Sequence, residues 1–200
     1  MTEARPTLRS LLALPDTPAP FSKSALILID CQNTYREGIM QLEGVEPALK
    51  ECATLLTRAR AAGAPVIHIR HDAGPGSPYD VRARIGAIAD IVAPAAGETV
   101  ITKTYPSSFE QTNLGAELKK HGVTDLVLAG FMTHVCVNST ARAAFNHGYR
   151  PTVVGNATAT RALPNPLGGT VPAAVVHSGA LTELADMFAI VVPSESAVPV

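Results

Sequence analysis

The 200-residue chain predicts an α/β domain built on a doubly wound, six-stranded parallel sheet with helices on both faces. Two observations carry that prediction. Short unbroken apolar runs such as ALILID and DLVLAG alternate with longer segments whose apolar residues recur at helical spacing. Strands that are apolar on both sides need cover on both sides, which a parallel sheet wrapped by helices provides and a half-wet antiparallel sheet does not. Composition agrees: 46% hydrophobic and 16% charged residues fit one domain with a substantial core.

The elements follow in order. Residues 1–23 form an N-terminal arm with one short apolar run, Leu11 to Leu14, and no secretory apolar region; the domain proper occupies 24–200. ALILID (25–30) is the first strand, and a helix over 46–62 stops before Gly63. PVIHIR (65–70) is the second strand, followed by a long polar loop with a helix near 80–90. TVIT (99–102) is the third strand, and a helix over 110–121 stops at Gly122. DLVLAG, a helix over 134–147, RPTVVG, a helix over 172–188 and AIVV complete the alternation.

Charge and composition exclude several function classes. With a net charge of −1 and no block of like charge, the chain lacks the footprint of a nucleic-acid or membrane-surface binder. No run approaches the ~18 apolar residues of a membrane span. Cys31, Cys52 and Cys136 cannot all pair within the chain, and no C-x-x-C spacing marks a metal or redox site. The expectation is a soluble cytoplasmic protein whose partner is a small molecule or another copy of itself. GPGSPYD lacks the third glycine of a dinucleotide fingerprint, so no cofactor is expected.

In a doubly wound sheet the site lies beyond the carboxyl ends of the strands, where strand order reverses. Three chemically able residues occupy such ends: Asp30 after strand one, Lys103 after strand three and Cys136 after strand four. Taken singly, each has an ordinary role, as a turn residue, a solvated lysine and a packed thiol. Jointly they make a nucleophile with its partners. Cys136 falls in a first helical turn, where free N–H groups and the positive dipole end collect, and this together with lysine is expected to favour thiolate. Asp30 is placed to take the sulfur's proton and return it to a departing amine. The Cys136 N–H and a second N–H of the turn are placed to hold an oxyanion. His134, two residues before Cys136, points away from it on a helix and lines the site or faces solvent. A papain-like Cys–His pair is disfavoured, with His121 and His147 at helix ends and His177 packed in the last helix.

Three stretches, LILIDCQNTY, TKTYPSSFEQTNL and GFMTHVCVNSTARAAFNHGY, resemble in that order the motifs of the isochorismatase-like cysteine hydrolases, which include nicotinamidases, N-carbamoylsarcosine amidase and ureide hydrolases. The resemblance covers about residues 24–192. It implies that Asp30, Lys103 and Cys136 are the catalytic triad, that a cis peptide joins Phe131 to Met132, and that Met132 and Cys136 supply the oxyanion N–H groups. It implies pocket walls from Gln32, Asn33, Tyr35, Tyr105, Ser108 and Phe109. Turn and packing roles are as plausible for Asn33 and Ser108, so Tyr35, Tyr105, Phe109 and His134 are the preferred substrate contacts. Nicotinamidases of this type carry an Asp-x-His metal motif that VIHIRHDAGPG lacks, and His68 and His71 point to opposite faces of a strand, so no metal is expected. Isochorismatases that cleave a vinyl ether lack the cysteine.

The expected activity is cofactor-independent hydrolysis of a C–N bond in a small amide, carbamoyl or ureido compound through an acyl-enzyme. The rivals are an idle member of the fold used for binding or assembly, a redox-responsive thiol protein and a vinyl-ether-cleaving isochorismatase. Arg70, Arg82 and Arg84 are possible carboxylate readers but more simply solvated or ion-paired. The resemblance also implies a homo-oligomer, a dimer or tetramer. The arm, the 71–98 loop and TRALPNPLGGTVP are expected to shape the pocket.

Overall fold

The computed structural model describes residues 4–200. Of the arm, residues 1–3 lie outside the described residues; the rest carries a short helix, α1 (Leu8–Leu11), and a 3-10 turn at Phe21–Lys23. Helix α1 is tied to the far end of the chain, Leu8 N–H donating to Asp186 Oδ1 at 3.0 Å and Arg9 to Met187 O at 3.2 Å.

Six parallel strands make the main sheet: β1 (Ser24–Ile29), β2 (Val66–His71), β3 (Thr99–Lys103), β4 (Asp125–Phe131), β5 (Arg150–Ala159) and, after a small hairpin of β6 (Leu163–Pro164) and β7 (Thr170–Val171), β8 (Ile190–Val192). Their order is β3-β2-β1-β4-β5-β8. The order reverses between β1 and β4, so the crevice expected from topology opens above Ile29 and Gly130, which face each other in register.

Alternation along each strand divides the core. Leu26, Leu28, Val127 and Ala129 pack on one face against Leu49, Cys52, Leu55 and Leu56 of helix α2 (Val45–Ala61). Ile27, Ile29, Leu126 and Leu128 pack on the other against α3 (Leu114–His121) and α4 (Asn138–Asn146), through Leu118, Ala141 and Ala144. Both layers are fully buried, at roughly 1.5–3 kcal/mol for each large aliphatic side chain, which explains why these strands show no polar face. The last helix, α5 (Ala173–Glu183), lies along α4 through Asn138 Nδ2 to Ala180 O and an Arg142–Glu183 ion pair.

Several boundaries differ from expectation. No helix forms near 80–90, only two 3-10 turns at Arg84–Gly86 and Asp90–Val92. There the backbone closes successive i to i+3 turns, Ala83 N–H on Asp80 O, Gly86 N–H on Ala83 O and Ala87 N–H on Arg84 O, and Gly86 packs directly on the Asp80 carbonyl, so the i to i+4 ladder of a helix is not made. Helix α3 begins at Leu114 because Thr112 Oγ1 accepts from Leu114 N–H, and Gln111 before it is left-handed. The segments expected as helices from 134 and to 188 contain wider π turns at Thr133–Val137 and Leu184–Phe188. Strand β5 runs on to Ala159, past an irregularity opposite Leu128 and Gly130.

Candidate active site

The peptide leaving β1 enters Asp30 with φ of 50°, a left-handed turn that lifts its carboxylate off the strand line. Asp tolerates this conformation better than most side chains. Lys103, the last residue of β3, lies two strands away. With strands ~4.8 Å apart, only a long side chain can cross the end of β2, and Lys103 does so: its Nζ is 2.7 Å from Asp30 Oδ2, both side chains wholly buried. The same ammonium donates to Cys136 Sγ at 3.4 Å and lies 3.4 Å from His71 Nδ1. Beyond Lys103 and the neighbouring thiol, neither Asp30 oxygen has a hydrogen-bond donor among the described residues.

Cys136 is carried by the π turn Thr133–Val137, a wide turn of the kind that concentrates at functional sites. The turn starts directly after a cis peptide between Phe131 and Met132, and Met132 O accepts from both Val135 and Val137 N–H. Gly130 makes this entry possible: its φ is 117°, and a Cβ there would lie 2.0 Å from Ile29 O. The chains that deliver Asp30 and Cys136 therefore touch backbone to backbone.

The electrostatics correct one expectation. The Cys136 thiol is pushed up to about 12, first by burial and then by the charge of Asp30, against a smaller lowering by Lys103. The resting group is a thiol, not the thiolate that a helix terminus and a lysine alone would favour. Burial opposes the charge on Lys103, but Asp30 and Cys136 outweigh it and hold its pKa above the ordinary value. His71 is lowered by burial and by Lys103, so it is a neutral acceptor at neutral pH.

A sequence profile described as the isochorismatase domain matches residues 24–196, nearly the whole chain. The chain belongs to the isochorismatase family. The secreted isochorismatase effector Isc1 of Verticillium dahliae is 36% identical over 190 residues, covering 94% of this chain and 97% of its own. The ureidoacrylate amidohydrolase RutB of Stutzerimonas stutzeri is 31% identical over 185 residues, covering 72% of this chain and 75% of its own. The crystal structure of an isochorismatase from Pseudomonas putida superposes with a TM-score of 0.93 at 37% identity, covering 98% of this chain and 100% of that one. The expected fold and kinship are thus both present. No described helix of this isochorismatase-family chain is long and apolar enough to cross a membrane.

The remaining predicted residues divide. Tyr35 is only 1% exposed, its ring edge-on to Tyr79 and Phe131, and its pKa is raised by burial and then by the charge of Asp30. It forms a floor under the site rather than a wall. Tyr105 is exposed, bonded to Gln111. Phe109 departs furthest from expectation: it stacks on His147 and Tyr149 beyond the end of α4, whereas Cys136 lies before its start. His134 accepts from or donates to Thr160 Oγ1 at 2.5 Å. Gln32 is a clamp, bonded to both backbone groups of His71 and to Gly86 O. Asn33 and Ser108 are likewise spent on Arg84 O and on Thr140.

His68 pairs with Glu98, itself held by Arg60, on the opposite side of β2 from the His71–Lys103 contact, and the described residues contain no cluster of three or more metal-ligating side chains. Arg82 is paired with Asp72 and Asp80, Arg84 with Glu37, and Arg70 donates to Thr102.

Two residues went unrecognised from sequence. Tyr79 is raised first by burial and also by the nearby Asp30 carboxylate, against a lowering by Arg161. The positive charge of Arg161 also lowers His134, after burial, and its Nε is buried without a partner among the described residues. The only signal was position: Tyr79 lies in the 71–98 loop and Arg161 is the second residue of the TRALPNPLGGTVP stretch.

Proposed function

We propose that this chain is a cysteine hydrolase of small amide, carbamoyl or ureido compounds that carry an acidic group. The observation that carries the reading is the buried contact chain Asp30–Lys103–Cys136, a base and a nucleophile bridged by one ammonium. As Sγ attacks the substrate carbonyl, Asp30 takes the thiol proton, so thiolate need never accumulate and the raised thiol pKa is no obstacle. The carbonyl π electrons move onto oxygen, which the N–H groups of Met132 and Cys136 receive. Collapse breaks the C–N bond while Asp30 returns the proton to the departing nitrogen. Water, deprotonated by Asp30, then cleaves the thioester and restores the thiol.

The unmatched Arg161 supports the acidic group. A buried guanidinium N–H without a partner is costly, and a carboxylate next to it supplies the missing acceptor. The ureidoacrylate amidohydrolase relative acts on an acid by its name. A vinyl-ether substrate finds less support, since that chemistry needs protonation and gives Cys136 no task.

Ammonia release from a panel of amides, carbamoyl compounds and ureides, wild type beside Cys136→Ala, tests the reaction. Release is expected from wild type alone. Equal release by both proteins, or no release combined with a Cys136 that iodoacetamide does not label, would rule the reading out. Arg161→Gln should raise KM for acidic substrates about 10–100-fold, the span of a charged hydrogen bond, while leaving neutral analogues within about twofold. Equal effects on acidic and neutral substrates would remove Arg161 from recognition.

A further inference from the structure

The π turn that carries Cys136 is gripped from two sides by the same kind of contact. Thr133, its first residue and fully buried, places Oγ1 2.9 Å from Nδ1 of His177 on α5. His134, the next residue, places Nδ1 2.5 Å from Oγ1 of Thr160, itself 2% exposed just past the end of β5. The two pairs are mirror images in chemistry: the turn gives a hydroxyl to an imidazole on one side and an imidazole to a hydroxyl on the other. His177 and Thr160 both line one cleft of about 430 Å³ between α2, β5 and α5.

A hydroxyl early in a helical turn ordinarily bonds to its own backbone. Thr133 instead reaches a helix some forty residues onward, although α4 is already fastened to α5 by Asn138 to Ala180 and by Arg142 to Glu183. The Thr133–His177 bond is therefore redundant for docking the helices, and its effect falls on the turn itself. That turn sets where the Met132 and Cys136 N–H groups point. A donor that wanders by an ångström loses most of its value to an oxyanion.

We propose that the Thr133–His177 and His134–Thr160 pairs form a two-sided brace on the nucleophile turn, with His177 as the positioning residue that fixes the oxyanion donors. The catalytic part of this inference rests on the hydrolase reading above; the structural part does not. His177 touches no reacting atom and acts through Thr133.

The test compares His177→Ala, His177→Asn and Thr133→Val with wild type by residue-resolved amide hydrogen exchange and by steady-state kinetics. Asn presents an amide atom near the position of Nδ1 and so can keep the bond. In His177→Ala and Thr133→Val, exchange over residues 132–137 should speed at least tenfold while β1 and β4 keep wild-type protection. Turnover should fall about 10–100-fold with KM within about twofold, as expected for oxyanion donors out of place. Asn should recover most of both. Wild-type exchange over 132–137 in His177→Ala, an Asn variant no better than Ala, or a rise spread evenly across the sheet would each overturn the brace. If wild type hydrolyses nothing on the panel, the hydrolase reading falls, and the exchange measurement still decides the brace.

Discussion

Asp30→Asn is expected to cut amide hydrolysis by about 10²–10⁴-fold, the usual share of a general base, while iodoacetamide labels Cys136 at least as fast as in wild type. The two effects run in opposite directions because Asp30 does two things to the thiol. Its charge is the second cause, after burial, that pushes Cys136 up to about 12. Removing that charge leaves Lys103, 3.4 Å from Sγ, as the dominant neighbour, and the thiol ionises more easily. Alkylation needs only thiolate and so gains. Hydrolysis also needs a group to carry the proton to the departing nitrogen, and Asn cannot. Breaking a buried ion pair costs about 3–5 kcal/mol when one partner stays unpaired; here the new thiolate offsets part of that by pairing with Lys103. Both rates are to be read on one folded preparation, checked by circular dichroism. If labelling slows in step with hydrolysis, Asp30 creates the thiolate at rest and the concerted transfer is wrong.

Gly130→Ala should be the most damaging small substitution in the chain, with a loss of about 3–5 kcal/mol, beyond the ordinary range for a point change. Two separate penalties meet there. An alanine at φ of 117° is strained, and its Cβ would lie 2.0 Å from Ile29 O and 2.8 Å from Ile29 N, backbone atoms that cannot rotate away. Relief requires separating β1 from β4 at the point that delivers Asp30 and Cys136. Urea denaturation should show the lower midpoint, and residual folded protein should be inactive. By contrast Gly115→Ala, in α3 with open space around its Cβ, should be neutral or stabilising. A mild effect at Gly130 would mean that the two strand ends can part without consequence.

The sheet and the meeting of Asp30, Lys103 and Cys136 were legible in sequence for one reason: both depend on where strands end. Unbroken apolar runs mark the strands, and the polar residue that stops each run is delivered to the same edge of the sheet, which is how Asp30, Lys103 and Cys136 could be grouped across a hundred residues. What depends on loop paths was not legible. Phe109 follows Lys103 closely in sequence, yet the chain from 104 to 113 carries it away to stack on His147 and Tyr149. Arg161 and Tyr79 come from loops without periodicity, and only their final packing brings them near His134 and Cys136. The thiol's ionisation differs from expectation because sequence displays what favours thiolate, a helix start and a lysine, and hides burial, which dominates. The missing helix near 80–90 has a similar origin, since the loop's path closes i to i+3 turns, Ala83 N–H on Asp80 O and Gly86 N–H on Ala83 O, where a helix would span i to i+4.

The pairing of β1 with β4, Ser24 opposite Asp125 and Ile29 opposite Gly130, has a consequence for how the protein comes to life. The strands joined at the centre of the sheet are made about a hundred residues apart, with β2, β3 and their crossovers synthesised in between, and such distant pairing is the slow kind. In the finished sheet β2 stands between the strands that carry Asp30 and Lys103, and β4 adds along the other edge of β1. Only when β4 pairs with that edge is Cys136 delivered to them. On the hydrolase reading, turnover regained during refolding therefore reports the joining of β1 to β4.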